Sequence, residues 1–315
     1  MAPKRLKLRA AASTIALIEE VLLLQLQQIE RSTYVLRFPP LRDYVMEAAG
    51  LHFHFSPEFV IGLTGASQFH FIHDEFSLAA CEMAVIPAGI PHRELPRMSA
   101  GVFQNVVVSV YNQTVCLQLQ SQHSTREGMQ VDQCYLDSPK FALLAAYLNE
   151  MAEFHNPHGA EQPLGIKGLL LAYLDTLRSI IIQSRKAPTI EKLKISQVKK
   201  LVQEHLGSSS LSVRWLAELM HCSPDYLSHL FHIETQEYLA SYINRQRVDA
   251  AMELLKTSAL TISEIAFGVG FESPAYFSQV FKQVTFKTPQ DYRRSVERSY
   301  VELEGRPKTI FAKPE

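Results

Sequence analysis

Cysteine is scarce in this sequence, and no two of its cysteines form a Cys-x-x-Cys pair. The four are spread over 315 residues, at Cys81, Cys116, Cys134 and Cys222. A disulfide framework or a zinc ribbon needs closely and regularly spaced cysteines, so the sequence excludes both. Reduced thiols are typical of proteins inside the cell, and we therefore predict a cytoplasmic protein.

An excess of charge and a long apolar run are also missing. The formal net charge is −1 at pH 7, so composition alone does not indicate binding to nucleic acid. No run of about 20 apolar residues is present, which argues against a membrane-spanning helix and a membrane partner. Glu19 and Glu20 interrupt the apolar run near the N-terminus. We therefore predict that residues 1–33 are an N-terminal extension rather than a signal peptide, with an amphipathic helix over 14–30. This extension is either packed on the body of the protein or partly disordered.

Short runs rich in β-branched and aromatic residues follow, and glycine and proline separate them. Examples are "TYVLRF", "EFVIGLTG", "QFHFIH", "EMAVIPAG" and "VFQNVVVSVY". Such runs at even spacing are typical of a β-sandwich or a β-barrel. They predict an all-β domain over residues 34–137.

The apolar spacing changes after this domain. In "FALLAAYLNEMAEF" and "LGIKGLLLAYLDTLRSIII", apolar residues recur at i, i+3, i+4 and i+7, which predicts helices over residues 138–182. The second helix is so rich in leucine and isoleucine that it must be buried or form a subunit interface. We interpret the segment as a dimerisation element. The polar stretch 183–194 is predicted to be a linker.

Residues 195–298 have helical spacing throughout and contain an internal repeat. "LSVRWLAELMHCSPDYLSHLF" is similar to "LTISEIAFGVGFESPAYFSQVF", and both end in Ser-Pro-x-Tyr-apolar-Ser-x-apolar-Phe. Ser223 and Ser273 are suited to cap a helix, and the proline after each suits the first helical position. Each unit is therefore predicted to be a helix, a tight turn and a second helix, with Gly270 in the second turn.

In each predicted second helix, one face is apolar and the opposite face is polar. The apolar faces are expected to pack in the core. Their residues are Leu227, Leu230, Phe231, Phe277, Val280 and Phe281. The outward residues would contact base edges if the two helices lay in successive major grooves, about 34 Å apart. Gln pairs with adenine, Ser with any base, and Lys with guanine or phosphate. The predicted DNA-binding residues are Asp225, Tyr226, Ser228, His229, His232, Ala275, Tyr276, Ser278, Gln279 and Lys282.

A long helix is predicted between the two units, over residues 237–258. It would hold the two polar faces at a fixed separation. Arg245 and Arg247 on this helix could contact DNA phosphate. The alternative is that they lie on a solvated face or form an internal salt bridge.

Residues 195–298 resemble the DNA-binding domain of the AraC/XylS family of transcription regulators over its whole length. The motifs "SPDYLSHLF", "INRQRVDAAMELL" and "ISEIAFGVGFESPAYFSQVFKQVTFKTPQDYR" occur in the family's order. The resemblance implies binding to double-stranded DNA by a homodimer, RNA polymerase as a further partner, and no enzymatic activity.

The sequence departs from this family pattern at several positions. The family usually has basic residues near His229, His232 and Gln279, and glycine at Gln236 and Phe286. A weaker basic character lowers the part of the affinity that comes from DNA phosphates. We therefore expect weaker DNA binding, or a greater dependence on dimerisation, than the family pattern implies.

The stretch "HFHFSPEFVIGLTG" and the later "PAGIPH" resemble the cupin pattern His-x-His-x3-Glu-x6-Gly, then Pro-x-Gly-x2-His. Alternate residues of a strand share a face, so His52 and His54 point into a barrel if Phe53 and Phe55 point outwards. Three imidazoles and a carboxylate suit Zn, Fe, Mn or Ni. The candidate metal ligands are His52, His54, Glu58 and His92, and His70 joins them in the predicted ligand pocket. The alternative is a polar cavity that holds no metal.

We therefore predict a multi-domain protein. An N-terminal cupin-type barrel with a helical dimerisation segment precedes a C-terminal all-α domain with two helix-turn-helix units and a tail over 299–315. The resemblance implies that the barrel senses a small-molecule effector, most commonly a sugar in this family. The alternative function is a metal-dependent cupin enzyme, such as a dioxygenase or isomerase, with a DNA-binding tail. Its support is the histidine set, but no other catalytic acid or base is evident in the barrel.

Overall fold

The chain forms two compact units, Met1–Pro188 and Thr189–Glu315. The computed structural model describes residues 10–39, 52–111, 114–124, 128–155, 164–184 and 190–304. No helix in these ranges is long and apolar enough to cross a membrane.

The N-terminal unit is mostly β sheet, with helices on one side. The strands are β1 (Leu36–Arg37), β2 (Glu58–Thr64), β3 (Ala66–His70), β4 (Glu75–Ala79), β5 (Met83–Ile86), β6 (Arg93–Arg97), β7 (Phe103–Tyr111), β8 (Thr114–Gln122) and β9 (Gln130–Asp137). The helices are α1 (Ala10–Glu30), α2 (Phe141–Phe154) and α3 (Leu164–Gln183). One sheet has six strands in the order β1-β5-β2-β7-β8-β9, and the other has three in the order β4-β3-β6. Apart from the parallel pair β1 and β5, the ladders are antiparallel.

The two faces of the six-stranded sheet have different partners. On β7, Val106 and Val108 belong to the core that the sheet shares with the helices. Val107 belongs to a second apolar cluster, together with Phe69 and Leu78 of the three-stranded sheet. This alternation follows from the two-residue period of a strand. The space between the two sheets is therefore lined by every second residue of β7.

Helix α1 is an integral part of this core. It begins at Ala10, before the predicted start at residue 14, and Ile18, Leu22 and Ile29 on one of its faces are completely buried. It packs against α3 and β9. Of the two alternatives for this segment, the structure favours an extension packed on the body over a partly disordered one, because the apolar face of α1 closes the core of the unit.

Helices α2 and α3 also belong to the N-terminal unit rather than to a separate segment. The leucine-rich face of α3, including Leu170, Leu174 and Leu177, is buried in the same core as the sheet. The ring of Tyr173 lies 4.8 Å from that of Phe59 on β2. Within the predicted all-β stretch 34–137, the described elements are β strands, and the helices that follow share their core. Cupin identity remains a prediction. Dimerisation also remains a prediction, and the apolar residues that suggested an interface are covered within the chain.

The C-terminal unit is all-helical, as predicted. It consists of α4 (Ile190–Glu204), α5 (Val213–Leu219), α6 (Pro224–Thr235), α7 (Leu239–Thr257), α8 (Ile262–Gly268), α9 (Pro274–Thr285) and α10 (Pro289–Glu304). The pairs α5–α6 and α8–α9 are the two helix-turn-helix units. Two boundaries are corrected: α4 begins inside the predicted linker 183–194, and α10 extends into the predicted tail 299–315. Residues 185–189 and 305–315 of these segments lie outside the described residues.

The starts of α6 and α9 are determined locally, as the sequence indicates. Ser223 and Ser273 accept a hydrogen bond from the backbone N–H of Tyr226 and Tyr276, and a proline opens each helix. Gly270 in the turn between α8 and α9 has φ +89, and a Cβ there would lie 2.4 Å from the carbonyl oxygen of Leu206. Glycine is therefore required at this turn.

Candidate nucleic-acid interface and histidine cluster

The apolar faces of α6 and α9, the two reading helices, are buried as predicted. Leu227 and Phe231 of α6 and Phe277 and Phe281 of α9 lie in the interior of the unit. Phe231 packs against Tyr242 of α7, with ring centroids 5.0 Å apart. Each reading helix is thus held by its apolar side, which leaves the opposite side free.

Most of the predicted DNA-binding residues lie on that opposite side. The exposed ones are Asp225, Tyr226, His229, Ala275, Tyr276, Gln279 and Lys282, and the half-buried ones are Ser228, His232 and Ser278. Apart from the histidines, the exposed charged residues of α6 are Asp225 and Glu234, whereas that of α9 is Lys282. The second reading helix is therefore better suited than the first to approach a polyanion.

Two predicted contact residues are already engaged within the protein. The ring of His232 stacks on that of Tyr238, with centroids 4.5 Å apart and planes 7° apart. The hydroxyl of Ser278 donates a hydrogen bond to the carbonyl oxygen of Pro274, at 2.8 Å. Both side chains would have to leave these contacts before they could reach a base.

The two arginines of α7 form contacts within the protein instead of offering free charges. Arg245 binds both carboxylate oxygens of Glu237, at 3.0 and 2.8 Å. Arg247 is buried and donates to the carbonyl oxygens of Leu206, Ser208 and Leu211, of which the bond to Ser208 is 2.9 Å long. The structure therefore favours the internal salt bridge for Arg245. Arg247 is held by backbone carbonyl oxygens instead of an ion pair, an internal contact that was not predicted.

Sequence reasoning missed Lys194, which it placed in the linker. This residue lies on α4, and its Nζ is 3.4 Å from the hydroxyl oxygen of Tyr226 and 5.4 Å from the centre of that ring. A positive charge therefore lies beside the first turn of α6. Its 32-residue distance from Tyr226 along the chain hides this contact from local sequence patterns.

In the N-terminal unit, backbone bonds bring three histidines together. His52 and His92 exchange both backbone hydrogen bonds, at 2.9 and 2.7 Å, and the N–H of Gly89 donates to the carbonyl oxygen of His54 at 2.7 Å. The loop before β6 is thereby fastened to the segment before β2. The metal-binding atoms of His52, His54 and His92, the histidine cluster, lie within 4.8 Å of one another.

Glu58 at the start of β2 completes the predicted ligand set. Its Oε2 lies 3.6 Å from Nε2 of His54 and 3.9 Å from Nε2 of His92. Its Oε1 accepts a hydrogen bond from the hydroxyl of Ser109, at 3.0 Å. Nδ1 of His92 is 2.9 Å from the carbonyl oxygen of Ile90, so this nitrogen carries the proton and Nε2 presents its lone pair to the cluster.

The surroundings favour a neutral His92 and an ionised Glu58. Burial lowers the pKa of His92 to about 4, although Glu58 opposes the shift. Burial by itself raises the pKa of Glu58. The nearby His54 and His92 and the hydrogen bond from Ser109 lower this pKa by a larger amount, so its net shift is downward. Neutral imidazoles and a carboxylate are the forms that bind metals. Zinc, for example, binds histidine nitrogen at about 2.0–2.1 Å. The ligand nitrogens would therefore have to move closer together to hold such an ion.

Three expectations about this region are corrected. The segment containing His52 and His54 is not a regular strand, because its only ladder contact among the described residues is the bridge to His92. His70 lies outside the cluster. It follows Phe69 on β3 and so faces the opposite side, where its Nδ1 is 3.1 Å from Oε2 of Glu75. His52 is also exposed rather than enclosed.

A second polar group between the sheets was not predicted. The amide nitrogen of Asn105 on β7 donates to Glu94 of β6 at 2.6 Å and lies 3.3 Å from the hydroxyl of Ser67 on β3. Burial raises the pKa of Glu94 to about 7. Asn105 is completely buried, and its Oδ1 has no hydrogen-bond partner within the described part of the chain. The polar positions in "FQNVVVSVY" are the only sequence signal for this group.

Residues 216–295 match the family described as a helix-turn-helix domain. The C-terminal unit therefore contains a helix-turn-helix domain. This domain runs from the middle of α5 into α10, so it includes both reading helices.

Two proteins that are similar to part of this chain are described as regulatory proteins. The uncharacterized transcriptional regulatory protein YesN of Bacillus subtilis is 41% identical over 103 residues, which are 32% of this chain and 28% of YesN. The arabinose operon regulatory protein of Escherichia coli is 28% identical over 160 residues, or 46% of this chain and 54% of that protein. The chain thus spans about a quarter to a half of these relatives. The C-terminal domain of AraT, a response regulator from Geobacillus stearothermophilus, is a solved structure with 32% identity and TM-score 0.33, covering 36% of this chain and 88% of that one.

Proposed function

We propose that this protein is a transcription regulator that binds double-stranded DNA through α6 and α9. The observation that carries the proposal is the repeated helix-turn-helix unit, in which each reading helix buries an apolar face and exposes a polar one. In such units the second helix enters the major groove. Gln279 is the exposed residue of α9 best suited to read a base, because its amide can pair with adenine.

Selection of a binding site from random duplex DNA, followed by affinity measurement, tests this proposal. We expect the Gln279→Ala/His229→Ala variant to lose specific binding, since both side chains are exposed on the reading helices. Gln290→Ala is the matched control, because this exposed glutamine lies on α10. Full specific binding by the double variant would refute the assignment of the reading helices.

We further propose that the N-terminal unit binds a small-molecule effector in the polar region between its two sheets. The histidine cluster and Glu58 support this because they gather several polar groups that a ligand could bind. The buried Oδ1 of Asn105 supports it as well, because it has no hydrogen-bond partner among the described residues and buried polar atoms normally have one. A sugar is one candidate effector. Binding would alter DNA affinity through a coupling free energy, typically about 1–3 kcal/mol. Homodimer formation and contact with RNA polymerase belong to the same proposal.

A divalent metal in the histidine cluster is part of this proposal. His52, His54, His92 and Glu58 would hold the ion, and Zn, Fe, Mn and Ni all suit these ligands. The ion would supply a Lewis acid that anchors an oxygen of the effector. Metal analysis of protein purified without chelator or affinity tag should find about one ion per chain, which the His52→Ala/His54→Ala variant loses. His70→Ala is the control that should keep it, because His70 lies outside the cluster.

The alternative of a metal-dependent enzyme has less support. It rests on the histidine cluster alone, and the two relatives named above are regulators. Turnover of a substrate by metal-loaded protein, lost in His54→Ala, would favour the enzyme. Metal that changes DNA affinity without any turnover would favour the regulator.

A further inference from the structure

The internal repeat of the C-terminal unit is longer than the helix-turn-helix. Tyr226 on α6 is approached by Lys194 on α4, and Tyr276 on α9 is approached by Asn244 on α7. In both cases the two residues are 32 positions apart, and the contact between Nζ or Nδ2 and the tyrosine oxygen is 3.4 Å. Helices α4 and α7 therefore occupy equivalent places, and each supplies a polar side chain to the tyrosine of a reading helix.

The polarity of these hydrogen bonds leaves an outward donor at each tyrosine. The ammonium group of Lys194 can only donate, and the amide nitrogen of Asn244 donates as well. Each phenol oxygen therefore accepts this bond, and its own O–H is free to donate elsewhere. Tyr226 and Tyr276 are 44% and 50% exposed, so that second bond can be made to a molecule outside the protein.

The location of these donors indicates what they bind. Both tyrosines lie in the first turn of a reading helix, beside the capping serine. Side chains at this end of a helix-turn-helix lie close to the DNA, and about half or more of protein–DNA hydrogen bonds go to the phosphate and sugar. Phosphate oxygens are pure acceptors, and hydroxyl and ammonium donors are suited to them.

We propose that Lys194 with Tyr226, and Asn244 with Tyr276, are two equivalent sites that each bind one DNA backbone phosphate. This inference rests on the proposed DNA-binding function. The two sites differ in charge, because only the first contains a lysine. The positive charge of Lys194 offsets the negative charge of Asp225 on α6, which stands at the position that Ala275 occupies in α9. The first site thus binds phosphate through an ion pair and the second through neutral hydrogen bonds.

The difference in charge leads to a test by exchange. In the full chain, Lys194→Asn gives the first site the residue of the second, and Asn244→Lys does the reverse. Affinity for a random-sequence duplex of about 25 base pairs is measured by fluorescence anisotropy between about 50 and 200 mM KCl. Each phosphate neutralised by a lysine contributes about 0.9 to the slope of log affinity against log salt. We expect the slope to shrink by about 0.9 in Lys194→Asn and to grow by about 0.9 in Asn244→Lys.

Matched variants separate this contact from a general effect of charge. Lys192→Asn removes the same charge from the same helix, but residues two apart in a helix do not share a face. We expect its slope to match that of the unchanged protein. Tyr226→Phe and Tyr276→Phe should each weaken binding about 2- to 10-fold at every salt concentration without changing the slope, because only a neutral hydrogen bond is lost.

The outcomes distinguish this inference from the proposed function. If the unchanged protein does not bind duplex DNA, the DNA-binding function fails and the two phosphate sites fail with it. If it binds but Lys194→Asn and Lys192→Asn change the slope equally, or Asn244→Lys leaves it unchanged, the phosphate sites are refuted and the DNA-binding function stands.

Discussion

Gln236 and Phe286 end the two reading helices in an unfavourable backbone conformation. Both have left-handed dihedral angles, with φ of 58° and 60°. This region costs a residue with a Cβ roughly 1–2 kcal/mol, whereas glycine adopts it freely. The family that the sequence resembles favours glycine at these positions, and the structure supplies the physical reason. At Gln236 the side-chain amide donates a hydrogen bond to the carbonyl oxygen of Ile233, at 3.0 Å, whereas the side chain of Phe286 is exposed.

Phe286→Gly should stabilise the C-terminal unit by about 1 kcal/mol, because it relieves the left-handed strain. The side chain is 88% exposed, so little buried area is lost. Phe286→Ala is the control, since it removes the aromatic ring but keeps the Cβ. Chemical denaturation of the three proteins measures the effect. Equal stability of the glycine and alanine variants would show that the backbone is not strained here.

Arg247→Ala should destabilise the C-terminal unit by about 3 kcal/mol. The substitution leaves buried carbonyl oxygens without the donor that now binds them, and hydrogen bonds to a charged group are worth about 1.5–3 kcal/mol each. Arg294→Ala should change stability by less than about 1 kcal/mol, because Arg294 is exposed. If Arg247→Ala instead left the unfolding midpoint unchanged and weakened DNA binding, the arginine would be a phosphate contact after all.

At single residues, the sequence predicts what depends on near neighbours. Ser223 and Ser273 were assigned as caps because a cap acts within three residues, and the structure confirms both. Arg247 and Lys194 could not be assigned, because their partners lie tens of positions away along the chain. Whether an arginine such as Arg247 is exposed or buried depends on the tertiary packing of its helix, which local sequence does not reveal.

Among the elements, α1 illustrates a local prediction that is correct but leaves the packing of the helix open. The spacing of its apolar residues predicts a helix, but not which surface will cover them. The structure buries Ile18, Leu22 and Ile29 against the sheet and α3. Burial of such side chains is worth roughly 1.5–3 kcal/mol each, so α1 contributes substantially to the stability of the N-terminal unit.

Leu22→Ala should lower the free energy of unfolding of the N-terminal unit by about 2–5 kcal/mol, because it opens a cavity at a fully buried position. Leu24→Ala is the matched control on the same helix. Its side chain is 45% exposed, and we expect a loss of less than about 1 kcal/mol. Thermal unfolding monitored by near-ultraviolet circular dichroism compares the two. Equal losses would mean that α1 does not close the core.

The sequence predicts which histidines form the cluster, but not the backbone structure that holds them in place. The spacing of His52, His54 and His92 suggested a shared site, and the structure brings their ligand atoms together. The expected strand is replaced by a loop that is bridged to its partner by backbone bonds. The Asn105–Glu94 pair joins two strands that belong to different sheets, and no spacing rule connects them.

On the scale of the whole molecule, the boundary between the two units determines which fragment should fold. Helix α4 begins at Ile190, and its buried residues Ile195, Val198 and Val202 belong to the interior of the C-terminal unit. The resemblance to the AraC/XylS DNA-binding domain, taken from the sequence alone, starts the domain at residue 195. That start would leave Ile195 at a frayed helix end, where the first backbone N–H groups have no partners.

Two fragments that differ only at this boundary test the assignment. Residues 189–315 should fold and unfold cooperatively, because α4 to α10 provide their own core. Residues 195–315 should be less stable by about 1–3 kcal/mol, since the first turn of α4 is missing and Ile195 loses its cover. The shorter fragment also lacks Lys194, so its salt slope on duplex DNA should be smaller by about 0.9. Equal stability and equal slopes would place the functional boundary at residue 195 and make the first turn of α4 dispensable.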